Sequence, residues 1–249
     1  MTIQMLTSLG FLLLYVRHTW GIKVIQTNPN TALQQNGMAL IQNSSLSDYD
    51  QLTICLRIKT FQFDNFYSNK QAIVTYGDNL FLWSFVGSEN CGFPGCVDYY
   101  KDLIKENWKY GKVYGIFHKR TEFEFYPSWR VNDWQRFCIR IDRMKNEIEI
   151  FNGRKSIFKT FQQNLNLKTF DGNIELMNDK SFEDFAPMHG AIADLNVWSR
   201  ILSAEEIVDW ASCKNLNNGD IIDWNTAAVE VKSLEVIDLQ KLGKGSIKK

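Results

Sequence analysis

The chain has 249 residues, of which 45% are hydrophobic and 14% aromatic, and its 28 Lys and Arg balance 28 Asp and Glu. Apolar content this high excludes a disordered, collagen-like or coiled-coil chain and predicts one globular domain, because it is enough to fill a core. A formal net charge of zero provides no bulk field that attracts nucleic acid or an anionic membrane, so we expect neither as a partner.

The first 21 residues have the pattern of a secretory signal peptide. An apolar run from Leu9 to Val16 precedes Thr19–Gly21, which places small residues where a signal peptidase needs them. The run is far shorter than the roughly 20 apolar residues that span a bilayer. We therefore predict a signal peptide at 1–21, a secreted chain without stable membrane insertion, and a glycosylation site at Asn43 of the Asn43-Ser44-Ser45 sequon.

Short runs with apolar residues at alternate positions predict strands between residues 50 and 200. The clearest run puts Leu52, Ile54, Leu56 and Ile58 on one face of a half-buried strand, with Thr53, Cys55 and Arg57 on the other. The dipeptide Asn152-Gly153 predicts a hairpin turn. Many short strands between turn signals are typical of an antiparallel sandwich. The other predicted strands are 71–76, 80–86, 122–126, 137–142, 147–150, 156–158, 173–177 and 190–198.

One helix, near residues 204–212, is predicted to interrupt the strands. Ser203 and Glu206 form a capping-box pattern, and Ile207, Trp210 and Ala211 fall on one helical face. A last strand pair at 220–224 and 228–231 closes the predicted sandwich, which covers residues 35–232. A lead-in at 22–34 precedes it, and a polar, basic tail at 233–249 follows it; such a tail is expected to be disordered.

The five cysteines are expected to pair in an oxidising compartment. Cys55 and Cys138 each lie opposite the apolar face of their strand, so a disulfide would link them if the two strands are neighbours; two independent thiols are the alternative. Cys91 and Cys96 flank a Pro-Gly turn, which suits a local disulfide. Cys213 is left over and predicts either an intermolecular bond or a disulfide with Cys91 or Cys96.

The order of these pieces resembles the pentraxin family and the related laminin-G-like sandwiches. The resemblance covers about residues 35 to 232 and implies a divergent member with an all-β, concanavalin A-like fold, a two-sheet antiparallel jelly roll with one helix on a face. It also implies a disulfide between Cys55 and Cys138. The sequence departs from the family signature at Arg136 and at 139–141. The matching stretches are 52–56, 76–80, Trp134 with Cys138, 149–154, 190–198, 201–203 and Ile207.

The resemblance further implies a calcium site. Pentraxins bind calcium through an Asp-Asn pair and a later Glu-Gln-Asp run, and these positions hold Asp78-Asn79 and Asp179-Lys180-Ser181 here. Calcium takes six to eight oxygen ligands, which Lys180 and Ser181 supply poorly. Asp78, Asn79 and Asp179 are thus the candidate ligands of one ion rather than of the family's pair. The alternative is that Asp78-Asn79 form only a turn.

Two further patterns bear on function. Glu147 and Glu149 share a strand face at a spacing close to that of a retaining glycosidase pair, but solvated strand carboxylates are the better interpretation, and we expect no enzyme. The stretch 108–136 interleaves aromatic and basic residues, which indicates either core rings or a sugar-stacking surface.

The sequence therefore predicts a secreted, non-catalytic recognition module. Its ligand would be an extracellular carbohydrate, a phosphorylated head group or a protein surface, with calcium as a candidate cofactor and a lectin-like role in innate immunity as the implied setting. The alternative is an extracellular structural domain that has lost the metal site and uses Cys213 to form an assembly such as a homo-oligomer.

Overall fold

The computed structural model describes residues 23–28, 37–42, 46, 49–61, 70–76, 79–85, 110–111, 113–118, 121–125, 129–130, 132–161, 173–177, 185–214 and 218–238. Seventeen strands and one helix lie in these ranges. They are β1 (Lys23–Gln26), β2 (Met38–Ile41), β3 (Gln51–Thr60), β4 (Lys70–Tyr76), β5 (Asn79–Phe85), β6 (Tyr110–Gly111), β7 (Val113–His118), β8 (Thr121–Phe125), β9 (Trp129–Arg130), β10 (Gln135–Asp142), β11 (Glu147–Asn152), β12 (Lys155–Phe161), β13 (Ile174–Leu176), β14 (Phe185–Pro187), β15 (Gly190–Trp198), α1 (Ala204–Ala211), β16 (Val229–Lys232) and β17 (Glu235–Asp238).

Two large sheets form a sandwich. The seven-stranded sheet has the order β12-β11-β10-β3-β15-β1-β17, and every neighbouring pair in it is antiparallel. The eight-stranded sheet follows β16-β2-β13-β4-β5-β7-β8, and β14 pairs with β4 in parallel. Strands β6 and β9 form a separate two-stranded ladder. The predicted antiparallel jelly-roll sandwich with one short helix is confirmed.

The core lies between the two large sheets. Ile54, Leu56 and Ile58 of β3 face it from one side, and Ile73 and Leu176 face it from the other, each with at most 3% of its surface exposed. Burial of an aliphatic side chain of this size stabilises the fold by about 1.5–3 kcal/mol relative to exposure. The alternating pattern of β3 therefore correctly predicted which of its residues face the core.

The outer face of β3 differs from the prediction of a half-buried strand. Thr53 and Cys55 have no exposed surface, and Arg57 has 8%. The cause is α1 and the loop before it, which cover this face of the sheet. The hydroxyl of Thr53 donates to the carbonyl of Arg200 and accepts from the amide of Leu202, and it thereby fastens that loop to the strand.

Helix α1 begins and packs as its sequence predicts. The Ser203 side chain accepts from the amide of Glu206, and the Glu206 carboxylate accepts from the amide of Ser203, which completes the capping box. Ile207, Trp210 and Ala211 are buried against the outer face of the seven-stranded sheet. The helix therefore forms a third layer on one side of the sandwich.

Both ends of the described chain join the seven-stranded sheet. Strand β1 pairs with β15 and β17, so residues from the predicted lead-in and from the predicted tail extend the sheet beyond positions 35 and 232. The predicted strand at 220–224 is reduced to one isolated bridge between Ile222 and Val197. Backbone hydrogen bonds between Val197 and residues 221–222 hold the segment, and Asn196 Oδ1 adds to them by accepting from the amides of Gly219 and Trp224.

The predicted hairpin is present between β11 and β12. Its two loop residues are Gly153 and Arg154, one position later than the Asn152-Gly153 dipeptide suggests, since Asn152 still pairs with Lys155. Gly153 has a φ of 60°, a conformation that glycine adopts without strain.

Candidate functional site

Of the predicted calcium ligands, Asn79 lies next to strand β4. Asn79 begins β5 and pairs with Tyr76, the last residue of β4. On the other side of β4, the amide of Met177 donates to the carbonyl of Ile73. Asp78 and Asp179 lie outside the described residues, so the structure places only Asn79 of the three predicted ligands.

The donor set suits calcium in its chemistry. Two carboxylates and one amide supply at most about five oxygens, so backbone carbonyls and water would complete the six to eight that calcium takes. Within the described ranges, no group of three or more His, Cys, Asp or Glu residues is placed to hold a metal ion. The predicted sites at Asn43, Cys91 and Cys96 also lie outside the described residues.

A disulfide joins Cys55 of β3 to Cys138 of β10, the pair that the family resemblance implies. The two residues lie directly opposite each other in the register of the two strands, with their Cα atoms 4.1 Å apart. The bond lies beneath α1 and packs with Phe151, Trp198, Leu202, Ile207, Trp210 and Ala211. It therefore ties two central strands at the point where the helix layer rests on them.

An ion pair lies next to this disulfide under the end of α1. Arg57 Nε donates to Asp194 Oδ2 at 2.8 Å, and Asn196 Nδ2 donates to Asp194 Oδ1 at 2.9 Å. The Arg57 guanidinium also donates to the carbonyl of Trp210 at 3.4 Å and faces its ring. Burial raises the pKa of the Asp194 carboxyl above its usual value, and the Arg57 charge offsets this only in part.

Cys213 is a free, exposed thiol just beyond α1. Its Sγ accepts a hydrogen bond from the Arg57 guanidinium at 3.2 Å, and its backbone φ is 58°. The structure therefore places this cysteine at the edge of the buried Arg57–Asp194 pair.

A cleft of about 280 Å³ lies on the outer face of the seven-stranded sheet, beside the loop that leads into α1. We call it the charged cleft, because six of its lining residues are ionisable. Arg140 pairs with Glu149, Lys159 Nζ lies 2.8 Å from Glu147, and Lys145 Nζ lies 3.5 Å from Asp142. Its lining residues are Arg140, Asp142, Lys145, Glu147, Glu149, Lys159 and Ile201.

The two glutamates of this cleft are not the solvated pair that the sequence suggested. Only 8% of Glu149 is exposed, because side chains of the neighbouring strands β10 and β12 contact its carboxylate. One carboxylate oxygen of Glu149 accepts from the Ser156 hydroxyl at 2.7 Å, and the other accepts from Arg140. Alternation correctly placed Glu149 on the outer face, but it could not show the basic residues opposite it.

The aromatic and basic stretch 108–136 is described with side chains only from residue 132 onward. In that part, Trp134 has 37% of its surface exposed, so this ring belongs to the surface rather than to the core. The sequence did not predict the buried ion pairs of Arg57 with Asp194 and of Arg140 with Glu149. It did place Arg57 and Arg140 on the cysteine-bearing faces of their strands.

Comparisons with known proteins agree with this fold. No protein-family model matches the chain. Over 119 residues, which are 45% of this chain and 26% of the other, the sequence is 24% identical to the pentraxin fusion protein of Xenopus laevis. The match thus spans about a quarter of that relative's length.

Solved structures give a broader match. The native heptameric SAP-like pentraxin of Limulus polyphemus superposes with a TM-score of 0.63 at 15% identity, over 88% of this chain and 95% of the other. A proposed carbohydrate-binding protein of Bacteroides ovatus gives 0.55 at 10% identity, over 88% and 60%. The botulinum neurotoxin type C structure, described with its interaction with two ganglioside molecules, gives 0.51 at 12% identity, over 79% and 47%.

These observations define an all-β jelly-roll sandwich with a helix on one face. More narrowly, the jelly roll of this chain is similar in fold to that of a pentraxin. Among the described residues, no helix is both long and apolar enough to cross a membrane.

Proposed function

We propose that this chain is a secreted, non-catalytic recognition module that binds carbohydrate, phosphorylated head groups or protein surfaces outside the cell. The observation that carries the proposal is the pentraxin-like fold, which extends over 88% of the chain. Similar structures include proteins described by carbohydrate binding and by ganglioside interaction, which favours a glycan ligand. The disulfide between Cys55 and Cys138 supports an oxidising compartment.

The charged cleft supports a binding role over a catalytic one. A retaining glycosidase needs one carboxyl group that gives a proton to the leaving group and another that attacks the sugar. Both oxygens of Glu149 are engaged by Arg140 and Ser156, and Glu147 pairs with Lys159. Neither glutamate is therefore free for these roles.

Calcium would assist recognition at the end of the eight-stranded sheet. Asp78, Asn79 and Asp179 are the proposed ligands, because they stand where the resemblance to pentraxins implies calcium ligands. A bound calcium ion supplies positive charge and open coordination positions for hydroxyl or phosphate oxygens. Asp78 and Asp179 would hold the ion through their carboxylates, and Asn79 would add a neutral amide oxygen.

The test is a binding panel on the mature chain, residues 22–249. Immobilised neutral oligosaccharides, sulfated oligosaccharides and phosphomonoesters are each measured with calcium and with EDTA. We expect saturable binding to at least one class and no release of reducing sugar from any oligosaccharide. An absence of binding to every class would overturn the proposed recognition of carbohydrate and head groups, and hydrolysis that is lost in Glu149→Gln would overturn the non-catalytic role.

A second candidate function is assembly of an extracellular structure through Cys213. The observation that favours it is the exposed, free thiol of this residue. The mature protein is expected to run as a covalent dimer on a non-reducing gel and as a monomer in the Cys213→Ser variant. A monomer under non-reducing conditions in both proteins would reject this function.

A further inference from the structure

The charged cleft has the size of a small ligand site. Its volume of about 280 Å³ lies just below the roughly 300–1,000 Å³ that small-molecule pockets occupy, which suits a ligand of one small ring. It lies on the seven-stranded sheet, whereas Asn79 of the predicted calcium site lies on the eight-stranded sheet. A ligand in the cleft would therefore be bound independently of calcium.

The charges of the cleft are arranged in pairs. Each of its three cations lies within 4 Å of one of its three carboxylates, so the lining has no net charge. An anionic ligand would have to displace a carboxylate from its partner, and a cationic ligand would have to displace a cation. Neutral hydroxyl groups need no such exchange, because a hydroxyl can donate to a paired carboxylate and accept from a paired ammonium or guanidinium group.

An exposed aromatic ring lies on the same face as the cleft. Phe161 has 69% of its surface exposed and lies directly opposite Glu147 in the register of β11 and β12. Residues opposite each other in an antiparallel pair point to the same side of the sheet. Lys159 Nζ lies 5.6 Å from the centre of the Phe161 ring, which connects the ring to the lining of the cleft. The ring offers an apolar surface at the border of a polar pocket.

We infer that the charged cleft binds one neutral sugar residue, with the Phe161 ring against the C–H face of the sugar and the paired charges on its hydroxyl groups. The inference rests on the proposed function because it assumes that the module recognises carbohydrate. It adds the class of ligand, a neutral sugar rather than a phosphorylated one, and a place that is separate from the predicted calcium ligands.

Phe161 is the residue whose substitution tests sugar binding in the charged cleft. The Phe161→Ala variant removes the ring from the edge strand β12 and leaves all three ion pairs in place. Phe161→Tyr keeps the ring. A matched control is Val236→Ala on β17, the opposite edge strand of the same sheet, because Val236 is also exposed, at 54%.

Saturation-transfer NMR on the mature protein in EDTA gives the readout. The probes are glucose, galactose, mannose and N-acetylglucosamine, each compared with its 6-phosphate. We expect at least one neutral sugar to bind about tenfold more tightly than its phosphate. We also expect Phe161→Ala to weaken this binding about tenfold, while Phe161→Tyr and Val236→Ala retain it.

The outcomes separate this inference from the proposed function. If the protein binds glycans or phosphomonoesters only with calcium, and Phe161→Ala binds them as the unchanged protein does, the cleft is rejected and the recognition module stands. Preference for a 6-phosphate over its neutral sugar also rejects the cleft. If no glycan or phosphomonoester binds with calcium or with EDTA, the proposed recognition of carbohydrate and head groups fails and the cleft fails with it.

Discussion

The guanidinium of Arg57 and the carboxylate of Asp194 lie 2.8 Å apart beneath the end of α1, each with 10% of its side chain exposed. The two residues come from neighbouring strands, β3 and β15, whose register shifts between Ala193 and Asn196. Asp194 has a φ of 56° at this bulge. The irregular backbone thus turns an acidic side chain towards an arginine under the helix.

Removing one partner of this ion pair should strongly destabilise the folded protein. We expect Asp194→Ala to lower the free energy of unfolding by about 3–5 kcal/mol, because the change leaves the Arg57 charge buried without its carboxylate. Urea denaturation followed by fluorescence measures the loss. The control is Glu230→Ala, since Glu230 and Lys232 form an exposed pair at 3.6 Å that is worth less than about 1 kcal/mol. Equal losses in the two variants would contradict a stabilising role for the buried pair.

The disulfide under α1 gives a second prediction. Cys55 and Cys138 are 83 residues apart in sequence, and a cross-link over a loop of this length stabilises by about 4–5 kcal/mol in the chain-entropy model. We expect the double variant Cys55→Ala/Cys138→Ala to lose stability of that order in urea denaturation. Cys213→Ala serves as the control for a change of thiol alone. A double variant that unfolds within 1 kcal/mol of this control would show that the helix and sheets hold these strands without the bond.

The sequence predicted the inner face of the sandwich better than its outer face. Period-two alternation identified Leu56 and Ile58 as core residues because the core imposes that pattern directly. It could not predict that Thr53 is fully buried, since that burial comes from the loop before α1, more than a hundred residues later in the chain. Helical periodicity predicted the buried face of α1 but not the part of the sheet on which it rests.

The pairing of the buried charged groups could not be predicted from local periodicity either. Glu149 looked solvated because a glutamate at an alternating outer position is usually exposed, and only the register with Arg140 of β10 reveals its partner. Asp194 lies within the pentraxin-like stretch 190–198, but its left-handed backbone and its contact with Arg57 depend on a bulge that no local pattern indicates. Of the calcium ligands, the structure places only Asn79, by its backbone pairing with Tyr76.

Gly219 occupies a position that has no space for a side chain. A Cβ atom at this position would lie 2.1 Å from the carbonyl oxygen of Ile222 and 2.5 Å from that of Val197. These are backbone atoms that cannot rotate away, so we expect Gly219→Ala to lower the free energy of unfolding by about 3 kcal/mol. Gly190→Ala should be similarly destabilising, because its Cβ would lie 2.2 Å from the carbonyl oxygen of Lys59. A thermal melt of Gly219→Ala that matches the unchanged protein would disprove the close approach.

The capping box of α1 should make stability depend on pH. Hydrogen bonds from Arg200 and from the Ser203 amide lower the pKa of Glu206 from 4.5 to about 2. Because the pKa is lower in the folded state, these contacts stabilise the fold above about pH 4.5, and their contribution is lost as the pH falls towards 2.

We therefore expect Glu206→Ala to cost about 1 kcal/mol at pH 7, a value kept small by the solvent around this surface residue. The difference from the unchanged protein should narrow between pH 4.5 and 2 in urea denaturation. Glu205→Ala, which changes a neighbouring acid in the same helical turn, is expected to show a smaller cost. A difference in the free energy of unfolding between Glu206→Ala and the unchanged protein that stays constant down to pH 2 would argue against the lowered pKa of Glu206.

Calcium binding at the eight-stranded sheet gives the last prediction. Extracellular calcium modules bind the ion with dissociation constants of about 0.1–1 mM, so about 2 mM calcium should stabilise the folded state by about 1 kcal/mol. For a domain of this size we expect the melting temperature to rise by about 2–4 °C in calcium and to return to its starting value in EDTA. The double variant Asp78→Asn/Asp179→Asn should lose this shift, whereas Asp133→Asn, which changes an exposed acid elsewhere on the surface, should keep it. A melting temperature of the mature protein that ignores both calcium and chelator would mean that Asp78 and Asn79 form only a turn, because an ion that binds only the folded state must stabilise it.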